Sequence, residues 1–114
     1  MEKFLSGRSD EPIAIASITA SELLHGVHRA IDPMIRERRQ SFVNKILETV
    51  PVIAFHLAIA RLHAAVWAVA GQKGKLLGPH DLIIAATALH LSYAVVTFNE
   101  REFRGVPDLA VIVP

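Results

Sequence analysis

One acidic side chain opens the most apolar stretch of the chain, and that stretch limits the folds available to it. Gly78, Pro79 and His80 are turn residues, Asp81 follows, and Leu82-Ile83-Ile84-Ala85-Ala86-Thr87-Ala88-Leu89 is apolar apart from one threonine. A helix that is apolar all round is buried on several faces, so its N-terminus is expected inside the molecule or in a cleft. A carboxylate in such a place needs a counterpart, because an unpaired buried charge is very costly. Helix N-terminal amides, a basic side chain and a metal ion all qualify. Plain helix-dipole stabilisation accounts for Asp81 about as well as a functional role does.

The 114 residues suffice for one modest domain, 1–114. Apolar residues make up 52%, which favours a well-buried core or a subunit interface over disorder. The formal net charge of +1 exerts no general pull on nucleic acid, so any such contact must come from a local patch. The best patch is Arg36-Glu37-Arg38-Arg39, whose simpler explanation is a solvated helix face. The absence of cysteine excludes disulfides, thiol catalysis and thiolate metal sites, and suits a reducing cytoplasm. No apolar run is long enough to span a bilayer, and Met1–Leu5 carries no signal core.

Helical and strand-like segments alternate. Met1–Leu5 reads as the end of a helix and Ser6–Pro12 as a loop. Ile13–Ile18 is a short β-branched strand. Thr19-Ala20-Ser21-Glu22 has the spacing of a capping box, which opens a helix reaching about Ile31 before the Asp32-Pro33 break. A second helix fits Met34–Thr49, then a strand at Val50–Ala54 and an alanine-rich helix at Phe55–Ala70. On that helix Leu57 and Trp67 widen the apolar surface enough to suggest a subunit contact. Gly71–Lys75 is a loop, the Asp81 helix runs to about Ser92, and Ala94–Phe98 and Leu109–Val113 are strands. Apolar strands alternating with helices define an α/β fold with a parallel sheet, whose sites form beyond the carboxyl ends of the strands. Glu22 and Asn99 follow strands directly. Asp81 begins a helix that feeds a strand, which places it at the opposite end unless the preceding loop is arranged around the site.

Each candidate has a structural explanation beside the functional one. The capping box explains Glu22, and Asn99 can cap a turn at Asn99–Phe103. Glu100 and Glu102 can be solvated. Glu22-Leu23-Leu24-His25 has Glu-x-x-His spacing in a single copy, whereas carboxylate-bridged metal sites need two. There is no phosphate-binding glycine loop and no nucleophile elbow. Carboxylates and an amide in an α/β domain remain. Hard oxygen ligands suit Mg²⁺ or Mn²⁺, and the chemistry such ions serve most naturally is phosphodiester hydrolysis.

Three segments, in order, carry a family resemblance. They are Ala16–Val27 around Glu22, His80–Leu89 around Asp81, and Val95–Phe103 followed by Val106–Leu109. The chain resembles the PIN-domain ribonucleases, particularly the VapC-type toxins of toxin–antitoxin systems. The resemblance implies a three-layer α/β/α fold with a parallel sheet. It also implies an endoribonuclease activity in which Glu22 and Asp81 ligate Mg²⁺ or Mn²⁺, Asn99 supports the ion or its waters, and Thr97 lines the site. An RNA substrate, a cognate VapB-type antitoxin and a homodimer are implied as partners.

The chain departs from the family pattern at its start. Members normally begin with an apolar strand ending in a metal-binding aspartate, and that strand is the central one of the sheet. Here it is missing, and Asp10 in a loop is a poor substitute. The expectation is two half-sheets with exposed edges, which invite pairing with another chain. Either the natural product starts upstream and this version is N-terminally truncated, which is the expectation adopted, or dimerisation with strand exchange repairs the sheet. A catalytically inactive PIN remnant that dimerises or binds an antitoxin is the alternative function.

Overall fold

The computed structural model describes residues 4–6, 12–72 and 77–114, with side chains from residue 12 onward. Asp10 and most of the two loops expected around it and around Lys73 lie outside the described residues. Ten elements follow in order: β1 (Phe4–Ser6), β2 (Ile13–Ala16), α1 (Ser17–Arg29), α2 (Pro33–Thr49), β3 (Val52–Ile53), α3 (Leu57–Gln72), α4 (Pro79–Leu91), β4 (Ala94–Val96), α5 (Glu100–Phe103) and β5 (Val111–Ile112).

The strands form one sheet in the order β3-β2-β1-β4-β5. β2 pairs with β3 and β4 with β5 in parallel. β1 is antiparallel to both of its neighbours, with Leu5 opposite Ala14 and Val95. It follows that β2, β3, β4 and β5 all run the same way, and β1 alone runs against them. This corrects the expected start of the chain. Phe4-Leu5 is a strand instead of a helix end, and it occupies the central place that was expected to be empty. The sheet is therefore continuous within one chain, and the two half-sheets that motivated strand exchange are absent.

Burial shows that the sheet is covered on both faces. Successive strand residues point to opposite sides, yet Ala14, Ile15 and Ala16 are all buried, as are Ala94 and Val95. α4 is the central helix. Asp81, Leu82, Ile84, Ala85, Ala86, Thr87 and Ala88 are buried along it, as an all-apolar helix requires. Leu82, Ile84, Ala85 and Ala88 pack with Val95 of β4, Val66 of α3 and Phe103 of α5. Full burial of a side chain such as Ile84 contributes about 1.5–3 kcal/mol. Thr87, buried among them, satisfies its hydroxyl by donating to the Ile83 carbonyl at 2.7 Å.

α4 ends at Ser92, whose left-handed φ of 57° turns the chain back into β4 after one further residue. Helix and strand are thus antiparallel, and the N-terminus of α4 lies at the carboxyl end of β4. This settles the end of the sheet at which Asp81 sits: the chain reversal at Ser92 brings it to the same end as Asn99. Sequence alone leaves the two ends open, and the antiparallel run of α4 and β4 decides between them.

Several boundaries shift. α1 starts at Ser17, directly after the strand, with Ala16 as an N-cap that makes no side-chain bond. Thr19 is the third helical residue and buried, so the expected capping box is not formed. α2 starts at Pro33, and Asp32 caps it by accepting from Met34 N–H at 2.8 Å and Ile35 N–H at 3.4 Å. α3 runs through Gly71 to Gln72, two residues into the expected loop.

Candidate active site

Glu22 lies past the end of β2, in the second turn of α1, with its side chain exposed. Since Thr19 is not the N-cap of α1, the capping-box explanation for Glu22 falls away. Its carboxylate meets His80 of α4 instead, with Oε2 3.4 Å from the imidazole Nδ1. Asp81, the next residue, is buried in the first turn of α4 and is engaged by an interaction within the chain. Glu22, Gly78, Pro79, His80 and Asp81 line one open cleft of about 270 Å³. Two acids far apart in sequence are therefore brought to one cleft by two helices, at the carboxyl end of β2 and β4.

Thr97 and Asn99 form a second group just past β4. Thr97 is completely buried, and its N–H donates to the Ile112 carbonyl at 3.0 Å. Its hydroxyl accepts the Asn99 N–H at 3.0 Å, which fixes the turn into α5. Asn99 is the exposed N-cap of α5, as its sequence position suggested, although its side chain makes no capping bond. Neither residue is among those lining the Glu22–Asp81 cleft. Of the remaining acids, Glu100 pairs with Arg104 at 2.9 Å on the surface of α5, and Glu102 is exposed. His25 is exposed and does not line the cleft.

The arginine run has a local role. Arg36 donates from Nε and Nη2 to the Ala30 carbonyl at 3.0 and 2.6 Å. Arg39 donates to the Gly26 carbonyl at 3.1 Å. Both satisfy carbonyls at the C-terminal end of α1, where helix carbonyls lack intrahelical donors.

The donor set suits a hard divalent cation. Two carboxylates on one cleft are what Mg²⁺ requires of a protein when water and substrate phosphate complete the shell. Among the described residues, no group of three or more His, Cys, Asp or Glu is gathered as a metal cage. An apolar cavity of about 540 Å³, lined by Trp67, Leu82 and Ile83 among others, adjoins the cleft and shares Gly78 and Pro79 with it.

Comparison with known proteins identifies the class to which this mostly parallel sheet belongs. The chain belongs to the PIN domain family, whose model matches residues 2–109. A ribonuclease VapC of Rickettsia bellii is 30% identical over 98 residues, covering 86% of this chain and 73% of the relative. A tRNA(fMet)-specific endonuclease VapC of Salmonella typhimurium is 30% identical over 99 residues, covering 87% and 73%. Among solved structures, VapBC2 from Rickettsia felis, bound to a promoter DNA fragment, superposes with a TM-score of 0.83 at 30% identity. It covers 92% of this chain and 77% of its own.

Proposed function

We propose that the chain is an endoribonuclease toxin of a type II toxin–antitoxin pair, hydrolysing RNA phosphodiesters with Mg²⁺ or Mn²⁺ at the Glu22–Asp81 cleft. The observation that carries this is the convergence of Glu22 from α1 and Asp81 from α4 on one cleft at the carboxyl end of the parallel strands. The kinship with VapC ribonucleases supports it.

Asp81 and Glu22 supply the carboxylate oxygens. Asp81 is held rigidly by its buried helix, and Glu22 reaches across from α1. Thr97 fixes the turn that carries Asn99 at the end of β4; Asn99 does not line the cleft and would support the ion only through its waters. A bound divalent cation supplies a more acidic water and offsets charge on the phosphodiester. A cognate VapB-type antitoxin is the protein partner, by analogy with the VapBC structures, and the cytoplasm is the compartment.

A homodimer is supported by α3. That helix buries only Ile59 and Val66, while Leu57 is 66% and Trp67 58% exposed. An apolar helix face of this kind marks an interaction site.

The test is RNA cleavage by the purified chain in Mg²⁺ or Mn²⁺, with and without EDTA. Cleavage that requires the metal is expected. A folded sample that leaves RNA intact under every metal condition contradicts the proposal and favours the alternative, an inactive PIN remnant.

A further inference from the structure

We propose that His80 is the positioning residue for Glu22, holding its carboxylate at the cleft beside Asp81. This rests on the reading of the cleft as a metal-dependent site and adds a residue that the acid pattern does not include.

The two acids are held in different ways. Asp81 is buried in a helix that is buried nearly all round. The Glu22 side chain is 43% exposed, and among the described residues His80 is its one ion-pair partner. Ordering a glutamate side chain costs up to about 1.5–2 kcal/mol of rotamer freedom. A ligand left to wander therefore weakens any site it serves. Groups that anchor a ligating side chain without touching the metal typically change affinity or activity about 10–100-fold.

His80 is well placed to be that anchor. It follows Pro79 in the first turn of α4, where the ring of proline presets the helical φ. That turn is closed by the Leu82 N–H donating to the Gly78 carbonyl at 3.0 Å. The imidazole thus stands on rigid backbone next to Asp81, and its Nδ1 approaches Glu22 from the neighbouring helix. The pair ties α1 to α4 across the cleft and sets one acid relative to the other.

Two measurements test this. The first uses metal-free protein at pH 8 and follows the His80 ring nitrogens by NMR. The Nδ1–H tautomer is expected to dominate and to lose that dominance in Glu22→Ala. An unchanged tautomer in Glu22→Ala overturns the pairing, whatever the protein does with metal or RNA.

The second measures Mn²⁺ affinity from the free-ion EPR signal, without RNA, with thermal unfolding alongside. His80→Phe keeps the ring volume and removes the donor; His80→Asn keeps a donor near Nδ1. We expect His80→Phe to weaken Mn²⁺ binding about 10–100-fold, and His80→Asn to restore most of it. We also expect His80→Phe to add no further loss in a Glu22→Ala background. Equal affinity of His80→Phe and the unsubstituted protein overturns the proposal. So does a His80→Asn variant as weak as His80→Phe, or an equal loss in the Glu22→Ala background. If the unsubstituted protein binds no Mn²⁺, the metal-site reading itself falls, and this proposal with it.

Discussion

Phe4 pairs with Val96 while Ser6, two residues later, pairs with Ala94, so the strand at the centre of the sheet runs against β4. This strand joins the β3-β2 and β4-β5 pairs into one sheet, although it has only three residues. Leu5 lies opposite both Ala14 and Val95. Proline at this position removes an N–H from a central strand, a place proline does not tolerate. Leu5→Pro is expected to destabilise the chain by at least about 1–3 kcal/mol, read as a lower urea midpoint. An unchanged midpoint means that β1 contributes nothing to the sheet.

Arg36 and Arg39 belong to the fold, through the α1 carbonyls they cap. Arg36→Leu removes two charged donors from the part-buried Ala30 carbonyl and is expected to cost about 1–3 kcal/mol. Arg38→Ala, on the exposed side of α2, is expected to stay within about 0.5 kcal/mol. Chemical denaturation of both variants checks this. Equal stability of the two variants removes the structural role assigned to Arg36.

The exposed apolar face of α3 predicts a change in solution mass. Trp67→Glu places a charge on an exposed apolar side chain of α3 and is expected to convert a dimer to a monomer in sedimentation analysis. Retention of the dimer mass moves the interface elsewhere.

What the sequence shows is what local chemistry dictates. The α4 helix was legible because its apolar run is long and broken only by Thr87, and Asp32-Pro33 marked the α1–α2 break by capping and proline geometry. β1 was not legible. Three residues show no period, and the strand exists only because residues 13–16 and 94–96 offer it edges. The Thr19–Glu22 spacing misled because a capping box and two residues one turn apart inside a helix look identical in sequence. The structure separates them by starting α1 at Ser17. Glu22, Asp81, Thr97 and Asn99 were legible as candidates. The contact between His80 and Glu22 was not, because it joins two helices distant in the chain. The one local signal was the place of His80 directly before Asp81.

The most direct test of the central claim is metal-dependent RNA cleavage by the unsubstituted chain and by Asp81→Asn, with folding of both checked by circular dichroism. Asparagine keeps the size of the side chain and removes the charge that would hold the cation. Cleavage by the unsubstituted chain in Mg²⁺ or Mn²⁺ is expected. Asp81→Asn is expected to lose at least about 100-fold in rate, corresponding to about 2.7 kcal/mol of lost metal-assisted stabilisation. An Asp81→Asn variant that folds and cleaves RNA at the same rate contradicts the central claim.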